Sequence, residues 1–164
     1  MFTALESLFN GGIERIELDF AYDFSQIEYN GVFPFTTPVT LKGEITNRAG
    51  LVEIDAVASF DFSAPCDRCA SETEKHFDVP VKHGLVSSLN NDDNDDYILV
   101  ENMELDVEAL TLEDIYLFLP SKYLCKEDCK GMCSQCGTNL NEKSCECKKE
   151  IDPRWASLLS FMDE

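Results

Sequence analysis

Between Lys122 and Glu150 the chain carries six cysteines and almost no large apolar side chains, so this stretch cannot build a hydrophobic core of its own. Something other than apolar burial must order it. Two further cysteines, Cys66 and Cys69, lie upstream, and all eight fall into close pairs: Cys66/Cys69, Cys125/Cys129, Cys133/Cys136 and Cys145/Cys147. The segment Met1 to Gly12 has no basic n-region, carries Glu6 and is never apolar for long, so neither a signal peptide nor a membrane span is expected there. The expected location is the cytoplasm, where thiols stay reduced and paired cysteines read as metal ligands rather than disulfides. Zinc is the expected ion.

Cys133-Ser134-Gln135-Cys136-Gly137 reads as a zinc knuckle. Two intervening residues let both sulfurs face one ion, and Gly137 permits the turn whose amides can donate to sulfur. In an extended segment residues two apart project the same way, so Cys145 and Cys147 form a second pair, which the loop through Asn139-Leu140-Asn141 can bring back to the first. Cys66, Cys69, Cys125 and Cys129 then supply a second four-sulfur set, joining the sheet to the carboxyl-terminal segment. The alternative is one ion held by Cys66, Cys69, Cys133 and Cys136, so one or two zinc ions are expected, with two preferred because exposed spare thiols are reactive. His76 and His83 are not needed for a four-sulfur site and are expected at the surface.

The rest of the chain reads as α+β: an antiparallel, barrel-like β-sheet domain with one or two helices and the Cys-rich zinc module at the carboxyl end. Ile16, Leu18, Phe20, Tyr22 and Phe24 alternate with polar residues, and Val39, Leu41 and Ile45 begin a second strand. Asn47 to Gly50 reads as a hairpin loop leading to the cleanest alternation, Val52, Ile54, Ala56, Ala58, Phe60 and Phe62, which delivers the chain to Cys66. Phe77, Val79 and Val81 mark a further strand, and Tyr97 to Val100 a short last one. Asn90 to Asp96 resembles a calcium loop but lacks the turn glycine and the closing glutamate, so it is expected to be solvated. Val107, Leu110, Leu112, Ile115, Tyr116 and Leu119 predict a helix over 106–119, ended by Pro120. Asp152-Pro153 caps a final amphipathic helix with Trp155, Leu158, Leu159 and Met162 on one stripe. The expected division is an acidic β-rich domain over 1–104 and, packed with it as one unit, a helix, zinc module and terminal helix over 105–164.

The formal net charge of -19 excludes a generic polyanion binder, because such affinity comes from Lys and Arg displacing counterions. The charge is uneven, with 24 acids against 6 bases over Met1 to Ser121 and 7 bases against 6 acids over Lys122 to Arg154. An acidic body suits a basic protein partner. No catalytic constellation stands out. A zinc deaminase needs a histidine upstream of Pro65-Cys66, and none occurs before His76. A phosphate-cradling glycine loop and a Ser/His/Asp order are also missing, so neither an enzyme nor a small-molecule substrate is expected.

The run Cys125-Lys-Glu-Asp-Cys129-Lys-Gly-Met-Cys133-Ser-Gln-Cys136-Gly-Thr-Asn-Leu-Asn141, followed by Cys145-Glu-Cys147 and Asp152-Pro153-Arg154-Trp155, together with Cys66-Asp-Arg-Cys69, resembles the YceD-like family of large ribosomal RNA subunit accumulation proteins. The resemblance implies a factor needed for accumulation of large-subunit (23S) ribosomal RNA, acting in ribosome assembly without known catalysis. On that footing the acidic body would engage a basic ribosomal protein. Lys122, Lys126, Lys130, Lys143, Lys148, Lys149 and Arg154 around the zinc module would touch rRNA. The competing function is a redox-regulated chaperone whose zinc-thiol cluster releases metal on oxidation.

Overall fold

The computed structural model describes residues 2–88 and 97–147. Contacts divide the chain into two compact units: the first takes in the chain up to Ala64 and Glu72–Tyr123, the second Pro65–Ser71 and the chain from Leu124. The expected terminal amphipathic helix, the calcium-like run from Asn90 to Asp96, and Lys148, Lys149 and Arg154 lie outside the described residues.

The first unit is mostly β-sheet. Strands β2 (Arg15–Tyr22), β3 (Val39–Arg48), β4 (Leu51–Pro65), β5 (Glu72–Val86) and β6 (Tyr97–Leu99) hydrogen-bond in that order. The sheet curls into a half barrel and stays open, with β2 and β6 at its edges. A second, two-stranded sheet pairs β1 (Phe2–Ala4) antiparallel with β7 (Glu104–Asp106). Helix α1 (Glu6–Phe9) follows β1, and α2 (Val107–Phe118) follows β7.

The alternation in β4 is realised residue by residue: Val52, Ile54, Ala56, Ala58, Phe60, Phe62 and Ala64 are all buried while their odd-numbered neighbours are exposed or half-buried. Its hairpin with β3 pairs Arg48 with Leu51 around Ala49 (φ 54°) and Gly50 (φ 91°), a two-residue turn with both central residues left-handed. Gly43, opposite Ala56, is required by close approach, since a Cβ there would run into the Ala56 Cα and the Asp55 carbonyl. Phe62 is the hub of the core, with ring centroids 5.3 Å from Tyr123, 5.6 Å from Phe35 and 5.7 Å from Tyr29. The Tyr123 hydroxyl lies 2.9 Å from the Phe62 carbonyl oxygen and 3.0 Å from that of Thr73, anchoring the last residue of this unit to β4 and β5.

Helix α2 is capped by Asp106, whose side chain accepts a hydrogen bond from the Ala109 amide. It buries Val107, Leu110, Thr111, Asp114 and Ile115 along one stripe. Three features differ from what periodicity suggests. Strand β5 is 15 residues long rather than the six or so that its apolar alternation marks. Strand β6 runs parallel to β5, pairing Gly84 with Tyr97, in an otherwise antiparallel reading. The amino-terminal β1 and α1 are too short for a periodic signal, yet Leu5 between them and Leu8 in α1 are completely buried.

Candidate metal centres

The second unit has sulfur where the first has aromatic rings. Cys66 continues the even-numbered buried series of β4 and opens the turn 65–71, in which its amide donates to the Ser71 carbonyl and the Ala70 amide donates back to its own carbonyl. Ala70 is left-handed at φ 54°, which closes the turn and sets Cys69 beside Cys66. The Sγ atoms of Cys66, Cys69, Cys125 and Cys129 all lie within 4.8 Å of one another, with Cys66 to Cys129 at 3.8 Å and Cys69 to Cys125 at 3.6 Å. These gaps are far beyond the roughly 2.05 Å of a disulfide, and all eight cysteines are free thiols. Cys66, Cys69 and Cys129 are buried and Cys125 is half-buried.

The Sγ atoms of Cys133, Cys136, Cys145 and Cys147 form a second set within 4.8 Å of one another. A tight turn holds its first pair: the Cys133 amide donates to the Thr138 carbonyl and the Gly137 amide to the Cys133 carbonyl, with Gly137 at φ 69°. Here Cys136 and Cys147 are exposed and the other two half-buried. Cys66 and Cys69 thus sit in one set and Cys133 and Cys136 in the other. Each set is compact enough for its four sulfurs to share one metal ion.

The surroundings favour ionised sulfur at chosen positions. Burial pushes the Cys66 thiol up, but donation from the Cys125, Arg68 and Cys69 amides outweighs it and brings the group down to about 6. Cys129 is also lowered, burial being overcome by the Asn141 side-chain amide and the Gly131 backbone amide. Burial and the neighbouring sulfurs of Cys129, Cys69 and Cys66 push Cys125 up to about 12. In the second set, the Thr138 hydroxyl and amide bring Cys136 down to about 6, and proximity to Cys136 leads the causes that push Cys147 up to about 12. Lowered and raised thiols occur together in each set because a raised one donates its proton to a lowered neighbour, and a divalent cation in place of those protons would serve all four sulfurs.

Sequence reasoning missed the residues that orient these sulfurs. Arg68, inside the Cys66/Cys69 pair, donates from Nη1 to the Cys129 carbonyl at 2.9 Å, and its own carbonyl accepts from the Met132 amide at 3.0 Å. Asn141 donates from Nδ2 to Cys129 Sγ at 3.3 Å, and Asn139 donates from Nδ2 to Ser71 Oγ at 3.2 Å. Polar side chains with spare donors inside a cysteine-rich loop are the available signal, because metal-bound sulfur is commonly held by outer hydrogen bonds. The histidines split. His76 is exposed as expected, between Asp61 and Asp78. His83 is not a plain surface residue: it is half-buried, with Nε2 2.8 Å from the nearly buried Asp114 carboxylate on α2. Neither joins a sulfur set.

The chain belongs to the YceD family: the family model described as large ribosomal RNA subunit accumulation protein YceD matches residues 54–162. The chain is similar to an uncharacterized protein of Mycobacterium tuberculosis, 28% identical over 101 residues, covering 59% of this chain and 49% of the relative. It is also similar to the large ribosomal RNA subunit accumulation protein YCED homolog 1, chloroplastic, of Arabidopsis thaliana, 24% identical over 148 residues, covering 72% of this chain and 46% of the relative. The Zea mays protein of the same name is 24% identical over 144 residues, covering 68% and 49%. The chain spans about half the length of the curated relatives it matches. No solved structure shows a significant match. Among the described residues no helix is long and apolar enough to cross a membrane.

Proposed function

We propose that this chain is a non-enzymatic, zinc-binding factor of the cytoplasm that supports accumulation of large-subunit ribosomal RNA during ribosome assembly by binding a ribosomal protein, rRNA or both. One observation carries the reading: the segment matched by the family, 54–162, contains all eight cysteines, so the sulfur sets lie within what this chain shares with rRNA accumulation proteins. Zinc fits the donors. A tetrahedral ion with Zn–S of about 2.3 Å places its sulfurs about 3.8 Å apart, and the two gaps resolved in the first set are 3.8 and 3.6 Å. An all-sulfur, closed set suits a structural rather than a catalytic ion, since no position is left for substrate.

The partners follow from charge. The acidic first unit suits a basic ribosomal protein, and the exposed Lys122, Lys126, Lys130 and Lys143 offer phosphate contacts near the cysteine segment, where acids no longer predominate. The test is affinity capture from cells combined with rRNA measurement in a deletion strain. Co-purification of large-subunit components and reduced large-subunit rRNA are expected. Capture of none of them, with normal rRNA, sinks the reading. Metal loss and a gain of holdase activity after peroxide treatment would instead favour the redox chaperone.

A further inference from the structure

The loop between Cys136 and Cys145 belongs by sequence to the second sulfur set, yet its side chains serve the first. Asn141 uses both faces of its amide. Nδ2 donates to Cys129 Sγ at 3.3 Å and to Asn139 Oδ1 at 2.9 Å, while its Oδ1 accepts from the Lys130 amide at 2.9 Å. Asn139 fixes this arrangement: its Oδ1 also accepts from the Asn141 amide at 3.0 Å, and its Nδ2 reaches Ser71 Oγ, which lies 3.4 Å from Cys69 Sγ. A backbone bond carries the loop to the same place, Leu140 donating to the Gly131 carbonyl, beside Met132, whose amide donates to the Arg68 carbonyl. Cys129 therefore accepts directly from a loop whose two ends are ligand pairs of the second set, and the same loop donates to Ser71 Oγ, the acceptor for the Cys69 thiol.

We propose that the two sets bind metal cooperatively, with Asn141 as the positioning residue: filling Cys133, Cys136, Cys145 and Cys147 closes the loop that holds the Asn141 amide against Cys129. With both ends of the loop pinned to one ion, the conformational entropy of placing Asn141 is already spent, and the first set receives its outer hydrogen bond without that cost. With the ends free, the first set must order the loop itself or do without the donor. Loss of such an outer partner typically weakens metal affinity about 10- to 100-fold. By linkage, the first set strengthens the second by the same factor.

This inference rests on the metal-binding reading above, and the experiment separates the two. The full chain is loaded with zinc, its metal content measured, and the ion competed away with a chromophoric chelator. Wild type, Asn141→Ala, the double variant Cys136→Ser/Cys147→Ser, and the combination of all three substitutions are compared. Two ions per wild-type chain are expected, together with a first-set affinity at least about tenfold weaker in both Asn141→Ala and the double variant. In the combined protein Asn141→Ala should cost little more, because the loop is already released. Zero ions per chain overturns both readings. Two ions with first-set affinity unchanged in the double variant, or with Asn141→Ala costing as much there as in wild type, overturns the coupling alone. Should the double variant fail to fold, cadmium NMR of the singly substituted chain decides: Asn141→Ala must move the resonance of the first set, and an unmoved resonance overturns the proposal.

Discussion

The two units of this molecule meet the same entropy cost with different materials. In the first, Phe62 touches Tyr29, Phe35, Phe60, Phe77 and Tyr123, and an unbroken buried series runs along β4. In the second, the described cluster of buried side chains is Cys66, Cys69 and Cys129, with Leu124 and Cys125 packed against it. Among the described residues, 65–71 and 124–147, five side chains of that size bury little apolar surface with which to order the segment, at about 25 cal/mol per Å². The comparison teaches that one of these units is specified by the pattern of its sequence, whereas the other, on the proposed metal-binding reading, would be specified by its ligand chemistry.

Chelation should break the symmetry between them most strongly. Structural zinc supplies on the order of 10–16 kcal/mol to small modules, comparable to or above the whole stability of a domain. Removing it should abolish hydrogen-exchange protection in 65–71 and 124–147, whereas Val52 to Phe62 stay protected. Uniform loss of protection in both segments, or in neither, would falsify the division of labour. The converse perturbation is Phe62→Ala, which empties the hub of the ring cluster and should destabilise the sheet unit by about 3–5 kcal/mol with zinc content unchanged. A parallel fall in bound metal would mean that the sulfur sets depend on the aromatic core.

Legibility followed the same line. The residues 52 to 62 could be read as a strand because a period of two survives wherever one face is buried. The closeness of Cys66 to Cys69 and of Cys133 to Cys136 could be read because two intervening residues let both sulfurs face one point. What escaped depended on contacts across long separations. His83 and Asp114 are 31 residues apart, and Asn139 to Ser71 spans 68, so no local pattern announces either. Strand β5 escaped in part because Glu72, Glu74, Lys75 and His76 carry no apolar alternation, although the backbone continues the ladder through them. The direction of β6 is a matter of topology, which three residues of strand propensity do not encode.

A smaller effect tests the point where the chain leaves the first unit. Tyr123 is buried, and its hydroxyl can donate to only one of the Phe62 and Thr73 carbonyls at a time. Tyr123→Phe keeps the ring contact and removes the donor, so a loss of about 0.5–1.5 kcal/mol in the sheet unit is expected from denaturant unfolding. The zinc stoichiometry should be untouched. A larger loss accompanied by metal release would show that this anchor also holds the cysteine segment in register.

The smallest effect gives the two units opposite responses to acid. The hydrogen bond from His76 Nδ1 to Asp61, at 2.7 Å, leads the causes that raise the His76 pKa above 6.5; burial opposes it, and the charges of Asp61 and Asp78 reinforce it. Because the folded value lies above the unfolded one, the contact stabilises fully below about pH 6.5 and is lost as pH rises through the folded value. Thiolate ligands would run the other way, since protonation competes with a bound metal and acid should weaken the cysteine unit. Titration of the His76 imidazole by NMR should give a midpoint above 6.5 that falls toward 6.5 in Asp61→Asn, while zinc release on acidification is the same in both proteins. A midpoint indifferent to Asp61 would remove this pair from the sheet's account, and a changed zinc-release curve would tie the titration of one unit to the metal of the other.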